Sequence, residues 1–259
     1  MMNQQIHILK NIAEDTEKRI TEVLEEYGEK AGEKIKIGAY GSPSSRVDIA
    51  AEENIIRAVE EGDYPFNIFS EERGYIKRGY AQTLIVDPLD GSYNAENGIP
   101  FYSISLAISD GDLQTVKYAL VRDIPHRRNY WAVRGEGAFL ENKRLKTKGD
   151  RSLFIVYLGK KAHESSFKIA RKARRIRSLG SASLEMCMVA EGSADLFLYR
   201  FVHGGALRIV DIAAAYLIVR EAGGIVVDER LEPLNMGVST EERKNVIAAA
   251  KRETLKILQ

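Results

Sequence analysis

The segment from residue 85 to residue 94, IVDPLDGSYN, sets two carboxylates, Asp87 and Asp90, three residues apart around a proline at the close of an apolar run. Two like charges roughly 4 Å apart repel by about 4 kcal/mol at an effective dielectric near 20, so a positive group is required between them. Pro88 fixes φ and removes a backbone donor, which stiffens the turn. The two carboxylates and the Leu89 carbonyl are hard oxygen donors. Such donors suit Mg²⁺ or Mn²⁺ rather than Zn²⁺, which favours His or Cys. Gly91 and Ser92 then open a short expected helix, SYNAENG, where free N–H groups and the helix dipole favour a phosphate. A lone Asp-Gly-Ser is most often a turn or a cap; the attached Asp-Pro-Leu-Asp is what makes this segment specific.

Elements must hold that segment in place. Apolar positions Ile6, Leu9, Ile12, Ile20, Val23, Leu24 and Tyr27 predict an amphipathic helix over residues 5–27, closing near Gly28. A second helix is expected to follow Asp48 in VDIAAEENIIRAVEEG. The segments YPFNIFSEERG and AQTLIVDPLDG each predict a short strand ended by turn chemistry and acids. From Phe101 to Lys148, four strand-like runs separated by Gly-Asp, Pro-His and Arg-Gly-Glu-Gly turns predict an antiparallel meander. Beyond it, strands and helices alternate, with helices from about 163, over 181–191 and over 209–222, and a final helix after NVIAAA. Alternation of this kind favours a layered α/β half. We therefore expect an α+β half over residues 1–150 and an α/β half over 151–259, packed as one body.

The bulk composition narrows the function. Thirty-eight basic residues against 37 acidic ones leave a formal charge of +1, so nothing attracts nucleic acid or an acidic membrane surface globally. The single cysteine, Cys187, excludes an intramolecular disulfide and a Cys-cluster metal site. Neither a signal-peptide pattern nor an apolar run approaching the length of a membrane span is present, and a cytoplasmic location is expected. His7, His126, His163 and His203 are scattered and offer no nucleophile system.

The strand-Asp-Pro-Leu-Asp-Gly-Ser segment resembles the signature of the inositol monophosphatase family, in particular its archaeal branch that also hydrolyses fructose 1,6-bisphosphate. FSEERG is similar to that family's Glu-Glu block, which implies Glu71 as a metal ligand with Glu72 beside it. LRIVDIAAAYLIVREAGG resembles the C-terminal block, implying Asp211 as a ligand. SLGSASLEMCMVAEGSADLF resembles the block that contacts substrate, implying Gly180, Ser181 and Ala182. The resemblance runs from about residue 38 to residue 228. In a fifth block, GAYGSPSSRVDIAAEEN, Asp48 takes the later acidic position, but Tyr40 stands where an acid is expected. Taken without these blocks, Glu71 and Glu72 would be strand-end surface charges and Asp211 a helix cap, a role compatible with ligation.

What the resemblance implies is the layered α-β-α-β-α fold of sugar phosphatases, usually as a homodimer. The implied ligands are Glu71, Asp87, Asp90, Asp211 and the Leu89 carbonyl, holding two or three Mg²⁺ ions, with Mn²⁺ as a substitute. Asp48 and Ser92, as a hydrogen-bonded pair, are implied with Glu71 to orient and deprotonate the attacking water, while Gly91 and Ser92 cradle the phosphate. The expected substrate is a small sugar or polyol phosphate, inositol 1-phosphate or fructose 1,6-bisphosphate. A 3′-phosphoadenosine or NADP phosphatase, or a non-catalytic regulatory subunit, remain alternatives. Residues 160–177 carry eight Lys or Arg against Glu164 alone. Solvation explains most of that run, but Arg177, Arg200 and Arg208 are candidates for bidentate contact with a second phosphate. Aromatics are not interleaved with these charges, which argues against stacking on nucleic-acid bases.

Overall fold

The computed structural model describes residues 4–258, and their order explains how distant acids reach one place. Helix α1 (Gln4–Tyr27) buries Ile6, Leu9, Ile12, Ala13, Ile20 and Val23, the stripe expected of an amphipathic helix. A hairpin of β1 (Lys34–Ile37) and β2 (Pro43–Ser45), not anticipated from the sequence, leads into α2 (Arg46–Glu61). Ser45 caps α2: its backbone N–H donates to Asp48 Oδ2 at 3.0 Å, and its hydroxyl accepts from the Asp48 N–H at 3.4 Å.

Eight strands follow. They are β3 (Phe66–Ser70), β4 (Gly74–Ile76), β5 (Gln82–Asp90), β6 (Ser103–Ser109), β7 (Tyr118–Asp123), β8 (Arg128–Val133), β9 (Gly137–Leu140) and β10 (Lys143–Arg144), with α3 (Ser92–Glu96) between β5 and β6. They form one sheet in the order β10-β9-β8-β7-β6-β5-β3-β4. The expected meander accounts for β6 to β10, all antiparallel, whereas β3 and β5 run parallel.

The rest of the chain forms β11 (Leu153–Val156), α4 (Glu164–Lys172), β12 (Arg175–Arg177), α5 (Ala182–Ala190), β13 (Leu196–Tyr199), α6 (Ile209–Glu221), β14 (Ile225–Val227) and β15 (Val246–Ala249). Its strands form a second sheet in the order β12-β11-β13-β15-β14. The final helix is a 3₁₀ segment, Arg252–Leu258, rather than the expected α-helix.

Three apolar clusters fill the four interfaces between five layers, the central one lying on both sides of α5 and α6. Helices α1 and α2 pack with Ile68, Leu84, Val86, Ile104 and Leu106 on one face of the large sheet. The other face presents Phe69, Ile85, Ala107 and Val121 to α5 and α6, which also meet Ile155, Phe197, Val246 and Ala248 of the small sheet. Phe154, Val156, Leu196, Leu198 and Ile247 line the outer face of the small sheet, against Ile169 of α4 and Leu255. The architecture is therefore α-β-α-β-α. Because α6 lies between two sheets, eleven of its thirteen residues are buried and it has no polar face.

Candidate active site

Asp87 and Asp90 share a face because β5 carries an extra residue. Asp87 pairs with Ser105 and Asp90 with Ser103, so three steps on β5 oppose two on β6. Residues three apart on a regular strand point to opposite faces. An inserted residue restores the parity. The core contacts show the reset: Ile85 belongs to the α5/α6 side, whereas Val86 and Leu89 both belong to the α1/α2 side. Asp87 and Asp90 thus both face α5 and α6. Pro88, with no N–H to leave unpaired, suits the interruption.

Glu71 arrives from the turn after β3, and Asp211 from the first turn of α6. Carboxylate oxygens of Glu71, Asp87 and Asp211 all lie within 4.8 Å of one another. Burial pushes Glu71 up to about 7; the Asp211 charge adds to the rise and the Arg208 guanidinium opposes it. Burial raises Asp87 well above the usual carboxylate range, reinforced by the charges of Glu71, Asp90 and Asp211.

Asp90 takes a different set of partners. Its carboxylate accepts from Ser181 Oγ at 2.7 Å, from the N–H groups of Ala182 at 3.2 Å and Ser183 at 2.7 Å, and from Ser183 Oγ at 2.5 Å. It therefore satisfies the free donors at the start of α5. Burial raises its pKa while the serine hydroxyls pull it down.

The residues expected to cradle phosphate lie beside Asp90. Gly91 has φ +93°, and a Cβ there would stand 3.2 Å from the carbonyl oxygens of both Gly180 and Phe101. Only glycine meets both demands. Asn94 of α3 donates to the carbonyls of Phe101 and Leu179, each at 2.7 Å, and so ties the Gly180–Ala182 loop to the Asp-Gly-Ser turn. The buried Glu185 accepts from the Leu179 N–H at 2.5 Å, and burial pushes it up to about 7.

Asp48 and Ser92 were expected to bond to each other. Instead Ser92 Oγ donates to the Leu89 carbonyl at 2.9 Å, and Ser45 Oγ donates to Asp48 at 2.6 Å. Glu72 sits with Asp48 and Glu52, accepting a hydrogen bond from Ser44.

A cavity of about 1040 Å³ opens over the acids, with Glu71, Asp90, Asp211, Gly180, Ala182 and Arg208 in its wall. Of the three arginines expected to meet substrate, Arg208 alone lines it. Arg177 lies on the exposed edge strand β12 and donates to the Ile176 carbonyl, while Arg200 donates to Ser165 Oγ at 3.2 Å. Basic residues that the sequence reading passed over as individuals, Lys160, Lys161 and Arg243, line the cavity with His203, Tyr199 and Phe201. Lys160 and Lys161 open the basic run already noted; Arg243 lies in a loop with no local signal.

The inositol monophosphatase family model matches residues 6–259. A fructose-1,6-bisphosphatase/inositol-1-monophosphatase of Methanothermobacter thermautotrophicus is 39% identical over 241 residues, 87% of this chain and 85% of that protein. The chain belongs to the inositol monophosphatase family. A second relative is the bifunctional NADP phosphatase/NAD kinase of Methanococcus maripaludis, 34% identical over 92% of this chain but only 46% of that longer protein. Among solved family structures, an inositol monophosphatase–fructose 1,6-bisphosphatase superposes with a TM-score of 0.86 at 31% identity, covering 99% of this chain and 98% of that one. A Pyrococcus horikoshii protein described as having similarities to inositol-1 monophosphatase gives 0.82 at 33% identity, with 98% and 94% coverage. Among the described residues, no helix is long and apolar enough to cross a membrane.

Proposed function

We propose that this family member is a Mg²⁺-dependent phosphomonoesterase acting on inositol 1-phosphate, fructose 1,6-bisphosphate or both. One observation carries the reading: Glu71, Asp87 and Asp211 converge at a cavity whose wall also holds Lys160, Lys161 and Arg243. The donors fit a hard divalent cation, being all oxygen and raised in pKa by burial and mutual repulsion where a shift is resolved. Glu71, Asp87, Asp90, Asp211 and the Leu89 carbonyl would hold it. When bound, Mg²⁺ supplies an activated water and neutralises charge on the departing oxygen.

The chain's own groups position the substrate. Gly91 leaves the backbone open to a phosphate oxygen, and α5 locks Asp90 in orientation through four hydrogen bonds. Ser92, held at the Leu89 carbonyl, and Asp48, in the first turn of α2, are the groups proposed to orient the attacking water. Lys160, Lys161 and Arg243 would receive a second anionic group, which favours a bisphosphate. Relatives at 31–39% identity whose names pair both phosphatase activities support the same substrates.

NADP is the second reading. A relative bearing that activity in its name aligns with 92% of this chain, and the cavity volume lies at the upper end of small-molecule sites.

Phosphate release from inositol 1-phosphate, fructose 1,6-bisphosphate and NADP, measured with Mg²⁺, separates these. The expected result is faster turnover of one or both of the first two, with Asp87→Asn lowering kcat/KM by at least about 100-fold. Fastest turnover of NADP would install the second reading, and equal activity of wild type and variant would overturn both.

A further inference from the structure

Arg208 spans two of the three converging acids. One Nη donates to Glu71; Nε donates to Asp211 Oδ1 at 2.9 Å, and the other Nη to the same oxygen at 2.5 Å. The guanidinium is therefore a resident cation on carboxylates that would otherwise take a divalent ion. Two features hold it there. The Tyr40 ring lies against it, with Arg208 Cζ 4.8 Å from the ring centroid and Arg243 Cζ 5.4 Å from it. A backbone bridge, Leu207 N–H to Lys244 O and Lys244 N–H to Leu207 O at 2.9 Å each, fixes the two arginine-bearing segments side by side.

Tyr40 is itself anchored. The Ala39 N–H donates to the Glu72 carbonyl at 3.0 Å, pinning the β1–β2 loop to the Glu71 turn, and Phe69 meets the Tyr40 ring edge-on. The Tyr40 hydroxyl is buried without a hydrogen-bond partner, so what this side chain contributes is its aromatic face. A carboxylate at position 40, as the family resemblance leads one to expect, would attract a cation from solvent. A ring there attracts one from the chain.

We infer that Arg208, held by Tyr40, is an internal competitor for divalent metal: an ion binding at Glu71 and Asp211 must first displace the guanidinium, which sets a weakened metal affinity. The inference rests on the proposed metal site. Its competition is between charges on shared oxygens and needs no change of protonation.

Calorimetric titration of the whole protein with Mn²⁺ tests it. Arg208→Met is expected to bind Mn²⁺ about tenfold more tightly than wild type, the scale of one charge-assisted hydrogen-bonded contact, and Tyr40→Leu to shift in the same direction by less. Asp87→Asn serves as the reference that should lose binding. If that variant loses binding while Arg208→Met binds no more tightly than wild type, the inference fails and the metal site stands. If no form binds Mn²⁺, the metal site and the inference fail together. A second measurement needs no variant and uses diamagnetic Mg²⁺: in ¹⁵N spectra of wild type, the Arg208 Nε–H is protected from exchange before Mg²⁺ and loses protection on saturation. Protection unchanged by saturating Mg²⁺ overturns the inference.

Discussion

Glu185 shows how a residue outside the converging acids shapes the loop beside them. It is buried, accepts from the Leu179 N–H, and titrates near 7 rather than at the ordinary 4.5. The folded protein therefore holds a proton that the unfolded chain has released between those two values. Stability from the neutral form is full below about 4.5 and is lost as pH rises through about 7. Each unit of separation corresponds to about 1.4 kcal/mol. Glu185→Gln, a mimic of the neutral acid, should flatten that dependence: in calorimetric melts the wild type loses Tm relative to the variant between pH 5 and pH 8. Equal slopes would show that Glu185 is charged throughout. At this scale the sequence was most legible where a residue type has few uses. Asp87, Asp90 and Gly91 stood out because acids flanking proline, followed by glycine, are rarely structural. Glu185 did not, since an acid among LEMCMVA looks like the solvated position of a helix until a second sheet covers it. Arg243 was hidden for a related reason, because only the bridge to Leu207 brings it to the cavity.

Helix α5 is held by its contact with β5. Asp90 binds the exposed donors of its first turn, and Ser183 Oγ contributes the shortest of those bonds, at 2.5 Å. Removing that hydroxyl leaves the two N–H donors and Ser181 in place, so Ser183→Ala is expected to cost about 1.5–3 kcal/mol, the range for hydrogen bonds to charged groups. Urea unfolding measures it, and an unchanged midpoint would mean that Asp90 does not depend on this serine. Most elements were readable from apolar spacing: α1 and α2 show a stripe, β6 to β8 show strand runs between turns. The β1–β2 hairpin was not, because its strands are short, β1 mostly exposed and β2 a Pro-Ser-Ser run with no apolar alternation. The bulge in β5 was equally invisible. Proline suggested an interruption, but the register against Ser103 and Ser105 was needed to show that both aspartates face one way.

Across the whole molecule, the central core joins what the chain lays down first and last. Phe69, Ile85 and Val121 of the large sheet pack in the same cluster as Val210 and Leu217 of α6 and Val246 of the small sheet. We propose the division near residue 150 as a boundary in sequence between two halves that cannot stand apart, since either would expose that apolar face to water. Thermal unfolding should be one cooperative transition, and a chain ending at residue 150 should remain without native near-ultraviolet circular dichroism. A separately folded fragment would refute the shared core as the source of stability. The layered class was foreseeable from strand–helix alternation, whereas the placement of α5 and α6 between the sheets was not, because local periodicity vanishes in helices covered all round.

That burial of α6 has a consequence for synthesis. The large sheet is complete once Arg144 has been made, yet the helices that cover its second face begin only at Ala182 and Ile209. While the ribosome makes the intervening segment, the nascent sheet displays an uncovered apolar surface, and that is the interval in which aggregation is expected to compete with folding.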